Sequence, residues 1–299
     1  MRVDAHLRQL TDALRQSLEL CAADPAVEAV HDTRTGTRRI EAALEAALRN
    51  AGAHTGAGED ELAKAVRAWE RLLKRVRRAA APVRDLDVQR KILKKLAEGN
   101  AAQDAVGSAV TGQVEKLDHA LGAEREQRSA PLRKSAAKWA ANLDGQYAAF
   151  ATAMVQRPAQ RRRKPDAAKT ALDAFARLAS QMRQLDVGNL HDFRKGAKKA
   201  RYMAEAGGED AHAGAVGKAL KRLQDEIGDW HDWLMLAEEA HRVLGEDGAA
   251  LTAEIERVRD GHYAMAIQVA GKMRGKLLGE WLAMQPKRRA ASRGTVKKA

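Results

Sequence analysis

Hydrophobic residues recur every three or four positions along almost the whole chain, which is the spacing of amphipathic helices. Leu7, Leu10 and Leu14 show this spacing near the start of the sequence. Clusters of Gly, Pro and Asn separate the periodic stretches. The pattern predicts helices over about 3–22, 25–50, 59–80, 84–98, 103–141, 146–156, 166–184, 188–206, 211–228, 229–244 and 248–284.

Several of these boundaries depend on residues that normally interrupt a helix. A proline inside a helix removes one backbone N–H and clashes with the carbonyl of the preceding turn. We therefore expect Pro82 to end the third helix and Pro131 to kink or restart a long one. The segment 142–145 is predicted to be a turn, and Gly228 to separate two helices.

Composition favours an all-α fold over any sheet protein. Aromatic residues make up only 4% of the 299 residues, so strands would lack residues that they prefer. The single cysteine, Cys21, excludes a disulfide framework and any multi-cysteine metal site. No apolar stretch approaches the ~18 residues of a membrane span, and no signal peptide is recognisable. We expect a cytoplasmic protein without membrane contact.

The charge indicates the class of partner and the domain organisation. A net charge of +13 favours a polyanion such as nucleic acid or a phosphate-rich ligand. Residues 157–165 are basic, contain two prolines and lack large apolar side chains, so we interpret them as a linker. It separates a first helical half, 1–156, from a second, 166–285. Residues 286–299 are predicted to be a disordered basic tail.

The two halves share motifs in the same order, which indicates an internal duplication. Residues 31–39 and 191–199 both follow the pattern H-D-x-R-x-G-x-[RK]-[RK]. Each is followed by a second basic motif, L-K-R at 73–75 and again at 220–222. A basic residue followed by aspartate then completes each set, as R-D at 84–85 and H-D at 231–232.

The repeated motifs place basic residues on one face of a helix. His31, Arg34 and Arg38 are three and seven positions apart, and the second half repeats this stripe. Converging stripes would form a basic groove that binds a chain of phosphates, because guanidinium groups match phosphate oxygens. The candidate residues for binding this phosphate chain are His31, Arg34, Arg38, Arg39, Lys74, Arg75, Arg78, Arg84, His191, Arg194, Lys195, Lys198, Lys199, Arg201, Tyr202, Lys221, Arg222 and His231.

Together with the stretches 84–88 and 220–232, these motifs resemble the CHAD family, the conserved-histidine α-helical domains. The resemblance covers about residues 3–284. It implies two four-helix bundles with pseudo-twofold symmetry around a basic cleft or pore. It also implies non-catalytic binding of inorganic polyphosphate and association with polyphosphate granules. No E-x-E-x-K signature of a CYTH domain occurs, so we expect a stand-alone CHAD protein without triphosphatase activity.

Two other functions remain as alternatives. His-Asp dipeptides at 31, 191 and 231 are also found in metal-dependent HD-type phosphohydrolases. The cationic neighbours Arg34 and Arg194 oppose metal binding, so we expect neither a metal nor another cofactor. Nonspecific nucleic-acid binding would use the same phosphate contacts, although few aromatic residues are available for base stacking. The sequence leaves open whether His31 and His191 contact ligand, and whether the protein is a monomer or a homodimer.

Overall fold

The computed structural model describes residues 3–51, 60–101, 108–156, 166–205 and 207–285, and within them it contains helices and no strands. The predicted all-α class is therefore confirmed. The predicted linker, 157–165, and the predicted tail, 286–299, lie outside the described residues. The helices are α1 Val3–Ala23, α2 Val27–Ala51, α3 Glu61–Ala101, α4 Ser108–Val155, α5 Ala167–Gln181, α6 Leu190–Glu205, α7 Ala211–Leu244 and α8 Ala249–Ala283, with a short 3-10 helix at Gly245–Gly248.

Each half forms a four-helix bundle with the same order of neighbours. In the first half α1 packs on α2 and α4, and α3 packs on α2 and α4; α5 to α8 repeat this arrangement. The first core is built around the fully buried Trp69 and Phe150, the second around Phe175 and Phe193. The two predicted bundles are confirmed. The pseudo-twofold relation between them stays a prediction.

The long helices reach beyond their own bundles and join the two halves. α3 has 41 residues and α4 has 48, whereas α1 has 21. The distal parts of α3, α4, α7 and α8 meet in a third apolar cluster. Leu93, Leu121, Leu236 and Ile255, one from each of these helices, are almost completely buried there. This third core fixes one bundle against the other.

The predicted helix breaks at Pro82, 142–145 and Gly228 are wrong, because α3, α4 and α7 run through them; α4 also continues through Pro131 without a restart, and the alternative of a kink there stays a prediction. An interior proline costs one helical hydrogen bond, about 3 kcal/mol or more. Packing of the helix before and after each proline offsets that cost. Leu132, directly after Pro131, is fully buried. α3 contributes Val83 to the first core and Leu86 to the third, so the helix around Pro82 is anchored in both cores.

The glycine shared by the two H-D-x-R motifs allows close helix packing. A Cβ on Gly36 would lie 3.3 Å from Cδ1 of Leu14, and one on Gly196 only 2.5 Å from Cδ1 of Leu178. These contacts bring α2 against α1 and α6 against α5. The glycines therefore set the position of the helices that carry the basic stripes.

We predict that Leu236→Ala lowers the free energy of unfolding by about 2–5 kcal/mol, the usual cost of truncating a fully buried leucine. Leu236 is 0% exposed in the third core, and Leu282, which is 62% exposed, provides the control. Leu282→Ala should change the stability by less than about 0.5 kcal/mol. Chemical denaturation measures both. Equal, small losses would contradict a stabilising role for the third core.

Candidate functional site

The two basic stripes meet where α2 contacts α6. We call Arg34, Arg38, Arg194, Lys198 and Arg201 the central cluster. Burial, followed by the charges of Arg34 and Arg194, lowers the pKa of Arg38. Lys198 is more strongly affected: burial, Arg38, Arg194, Arg201 and Arg34 together lower its pKa to about 7. The cluster therefore combines side chains from both halves in one partly buried, positively charged region.

Arg34 is held by the segment of α3 that surrounds Pro82. Its Nη1 donates to Oδ1 of Asp85 at 2.5 Å and lies 3.5 Å from the carbonyl oxygen of Ala81. The side chain is only 23% exposed, and its buried Nε has no hydrogen-bond partner in the ranges that the structure describes. The ion pair orients the guanidinium group and balances its charge.

Arg194 is held in a similar way on the second half, but without a carboxylate. Its Nε donates to the carbonyl oxygen of Gln224 at 3.2 Å. The guanidinium group lies against Gly228, where a Cβ would come within 2.8 Å of Nη2. Gly228 therefore makes room for Arg194 and does not end the helix.

Most of the positive charge in the central cluster is unbalanced. Arg34 pairs with Asp85, and Arg201 lies 3.2 Å from Glu205. In the part of the chain that the structure describes, Arg38, Arg194 and Lys198 have no carboxylate at ion-pair distance. Repulsion among these three cations destabilises the folded protein and would be relieved by a bound anion.

Two neighbours complete the surroundings of the cluster. Arg77 of α3 contributes to the low pKa of Arg38 and is itself paired with Glu41 of α2. The guanidinium of Arg201 lies over the Tyr202 ring, 4.9 Å from its centre. Tyr202 therefore borders the cluster through its contact with Arg201 and offers an aromatic face there.

The motif histidines lie beside the cluster in matching positions. The rings of His191 and His231 stack with their centres 4.1 Å apart. Burial, then the proximity of His231, lowers the pKa of His191 to about 4. On the first half, burial and the charge of Arg84 lower the pKa of His31. His191 and His31 thus favour the neutral form in the free protein.

The remaining predicted residues lie farther out. Lys195 pairs with Asp192 at 2.8 Å, Lys221 with Asp225 at 2.5 Å, and the Lys199 Nζ lies 4.0 Å from Glu45. One residue faces elsewhere, since Arg75 lines an open groove between α3 and α4. The exposed residues of the predicted set are His31, Arg39, Lys74, Arg75, Arg78, Lys195, Lys199, Lys221 and Arg222.

Sequence reasoning missed the residues that position the arginines. Asp85 and Gly228 belong to the stretches that carry the family resemblance, but neither was assigned to the site. The dipeptides R-D at 84–85 and H-D at 231–232 both contain an aspartate, and this repetition is a signal for Asp85. Nothing in the sequence indicates that Gln224 offers its backbone carbonyl to Arg194.

The described ranges contain neither a candidate membrane span nor a cluster of metal ligands. No helix there is long and apolar enough to cross a membrane. No group of three or more His, Cys, Asp or Glu side chains in those ranges could hold a metal ion.

Comparison with known proteins identifies the family. The CHAD domain family matches residues 5–241, most of the chain, so the protein belongs to the CHAD family. It is also similar in structure to the CHAD domain of the plant Ricinus communis, with a TM-score of 0.57 and 16% sequence identity. That similarity covers 90% of this chain and 89% of the plant chain, and it shows a common fold. The comparison with curated protein sequences finds no match.

The low pKa of His191 predicts a pH-dependent contribution to stability. The folded pKa of about 4 lies below the ordinary 6.5, so the contribution is complete above pH 6.5 and lost as pH falls towards 4. Solvent around this partly exposed ring reduces the expected effect to about 1 kcal/mol. We predict that His191→Gln removes this part of the loss, as measured by denaturation between pH 7 and pH 4.

The exposed His6 provides the control for this measurement. His6→Gln should retain the full pH dependence of the parent protein. The same dependence in His191→Gln would contradict the assignment of a neutral, partly buried imidazole at position 191.

Proposed function

We propose that the protein binds inorganic polyphosphate at the central cluster and does not cleave it. The observation that supports this most strongly is the convergence of Arg38, Arg194 and Lys198, which come from both halves and have no carboxylate partner among the described residues. Partly buried cations without counter-charges favour an anionic ligand. The membership of the CHAD family is consistent with the proposal.

A chain of phosphates suits this region better than a single phosphate. The central cluster offers several guanidinium groups, each of which can form two hydrogen bonds to phosphate oxygens. Exposed basic residues such as Arg39 and Lys74 add positive charge outside it. A long ligand can contact both at once, and the linked contacts raise its affinity above that of orthophosphate.

The chemistry of the cluster favours binding without hydrolysis. Cleavage of a phosphoanhydride bond requires a positioned water with a general base, or a metal ion that activates it. The two carboxylates that pair with the central cluster among the described residues, Asp85 and Glu205, are engaged by its arginines. We therefore propose a binding protein and not an enzyme, located in the cytoplasm at polyphosphate granules, as the family resemblance implies.

We predict that Arg38→Gln/Arg194→Gln weakens binding of long-chain polyphosphate at least about 100-fold. Two charge-assisted contacts of about 1.5–3 kcal/mol each are lost. The dependence of log K on log salt should flatten by about 1.5, since each lost phosphate contact removes about 0.7. Titration calorimetry at several salt concentrations measures both effects.

The matched control removes two exposed lysines outside the cluster, Lys116 and Lys272. Lys116→Gln/Lys272→Gln should keep the affinity within about threefold, although it loses the same charge. Equal losses in the two double variants would show that overall charge, and not the cluster, drives binding.

Tighter binding of single-stranded nucleic acid than of polyphosphate would favour the nucleic-acid alternative, and metal-dependent phosphate release would favour a hydrolase.

The low pKa of Lys198 predicts a pH-dependent affinity. A bound polyanion favours the protonated amine and raises its pKa above the free value of about 7. Binding then takes up a proton above pH 7, so affinity should rise up to about tenfold per unit as pH falls from 9 to 7. Lys198→Arg, which stays charged, should flatten this rise. An unchanged pH dependence in Lys198→Arg would contradict contact between Lys198 and the ligand.

A further inference from the structure

The Lys198 amine has surroundings that suit a nucleophile. Its side chain is partly buried and has no carboxylate partner among the described residues. Arg194 and Arg201 lie one turn before and one turn after it on the same face of α6, and the charges of Arg34 and Arg38 reach it where α2 contacts α6. An amine held beside other cations loses its proton more readily than an exposed lysine, and the neutral amine is the reactive form.

The same arginines would recognise a reagent that carries a phosphate. Guanidinium groups bind phosphate oxygens in pairs, and within the described part of the chain Arg38 and Arg194 are not engaged by carboxylates. A small acyl phosphate bound through its phosphate would place its carbonyl carbon close to the amine of Lys198. We propose that Lys198 is a site of acylation by acyl phosphates, an inference that rests on the central cluster being the anion site proposed above.

The reaction needs no metal or further reagent. The lone pair of the Lys198 Nζ attacks the carbonyl carbon of R–CO–OPO₃²⁻ and forms a C–N bond. The bond between that carbon and the phosphate oxygen breaks, and its electron pair leaves with the phosphate. The nitrogen releases one proton, which the departing phosphate accepts as HPO₄²⁻. The product is a neutral amide on Lys198.

Acylation and polyphosphate binding would oppose each other. The amide cannot be protonated, so acylation removes a charge from the central cluster and reduces its affinity for a polyanion. Bound polyphosphate, in turn, covers Lys198 and raises the pKa of its amine, which slows acylation. The modification would thus connect the supply of acyl phosphates to polyphosphate binding.

The test compares Lys198 with Lys195, an exposed lysine one turn earlier on the same helix. The full chain is incubated with acetyl phosphate at pH 7, and acetylation at each lysine is followed by mass spectrometry. We expect Lys198 to react at least about tenfold faster than Lys195. Trace labelling with acetic anhydride, which lacks a phosphate, should give a rate midpoint near pH 7 for Lys198.

The role of the arginines is tested by Arg38→Gln, with an unchanged circular dichroism spectrum as the folding control. It should reduce acetylation of Lys198 by acetyl phosphate about tenfold and leave Lys195 unaffected. Long-chain polyphosphate should protect Lys198 and not Lys195. Equal rates at Lys198 and Lys195 would overturn the inference, and so would an unchanged Lys198 rate in Arg38→Gln.

The outcomes separate this inference from the proposed function. If the unmodified chain binds polyphosphate but Lys198 does not react, the acylation inference is refuted and the proposed function is not. Selective acetylation of Lys198 without any polyphosphate binding would refute the proposed function, and the cluster would then be a site for small acyl phosphates.

Discussion

Repulsion among cations at the contact between α2 and α6 is the constraint on which the rest of the structure depends. Arg38 and Lys198 come from opposite halves; burial lowers the pKa of both, and the charge of Arg38 lowers that of Lys198 further. Neither has a carboxylate partner among the described residues, so the attraction that holds the halves together must come from elsewhere. A region of this kind is stable only if the surrounding fold keeps the cations from separating.

The long helices hold the two halves together against this repulsion. The distal parts of α3, α4, α7 and α8 bury a third apolar cluster, which includes the fully buried Leu236. Because α3 and α7 also support Arg34 and Arg194 directly, the same two helices join the bundles and orient the basic side chains. Their continuity through Pro82 and Gly228 is therefore a requirement of the site. A break at either position would disconnect the cores from the arginines.

The sequence predicts the helical class, the duplicated motifs and the two stripes that carry Arg38 and Lys198, because helical periodicity is a local property. It fails at Pro82 and Gly228, where packing on both sides outweighs the local preference for a break. It also groups Arg75 with the other basic residues, although Arg75 faces a separate groove. That distinction depends on the rotation of α3 against α4, which tertiary packing sets. The backbone contact of Arg194 to Gln224 is beyond any pattern of residue types.

The central claim is that the contact between α2 and α6 is where a phosphate chain binds. A crystal structure of the protein with a short polyphosphate tests it most directly. The account predicts density for the phosphate chain against Arg38, Arg194 and Lys198, with its ends directed towards the outer lysines. A polyphosphate bound only at the groove of Arg75, or along the exposed outer faces with the central cluster unoccupied, would contradict it.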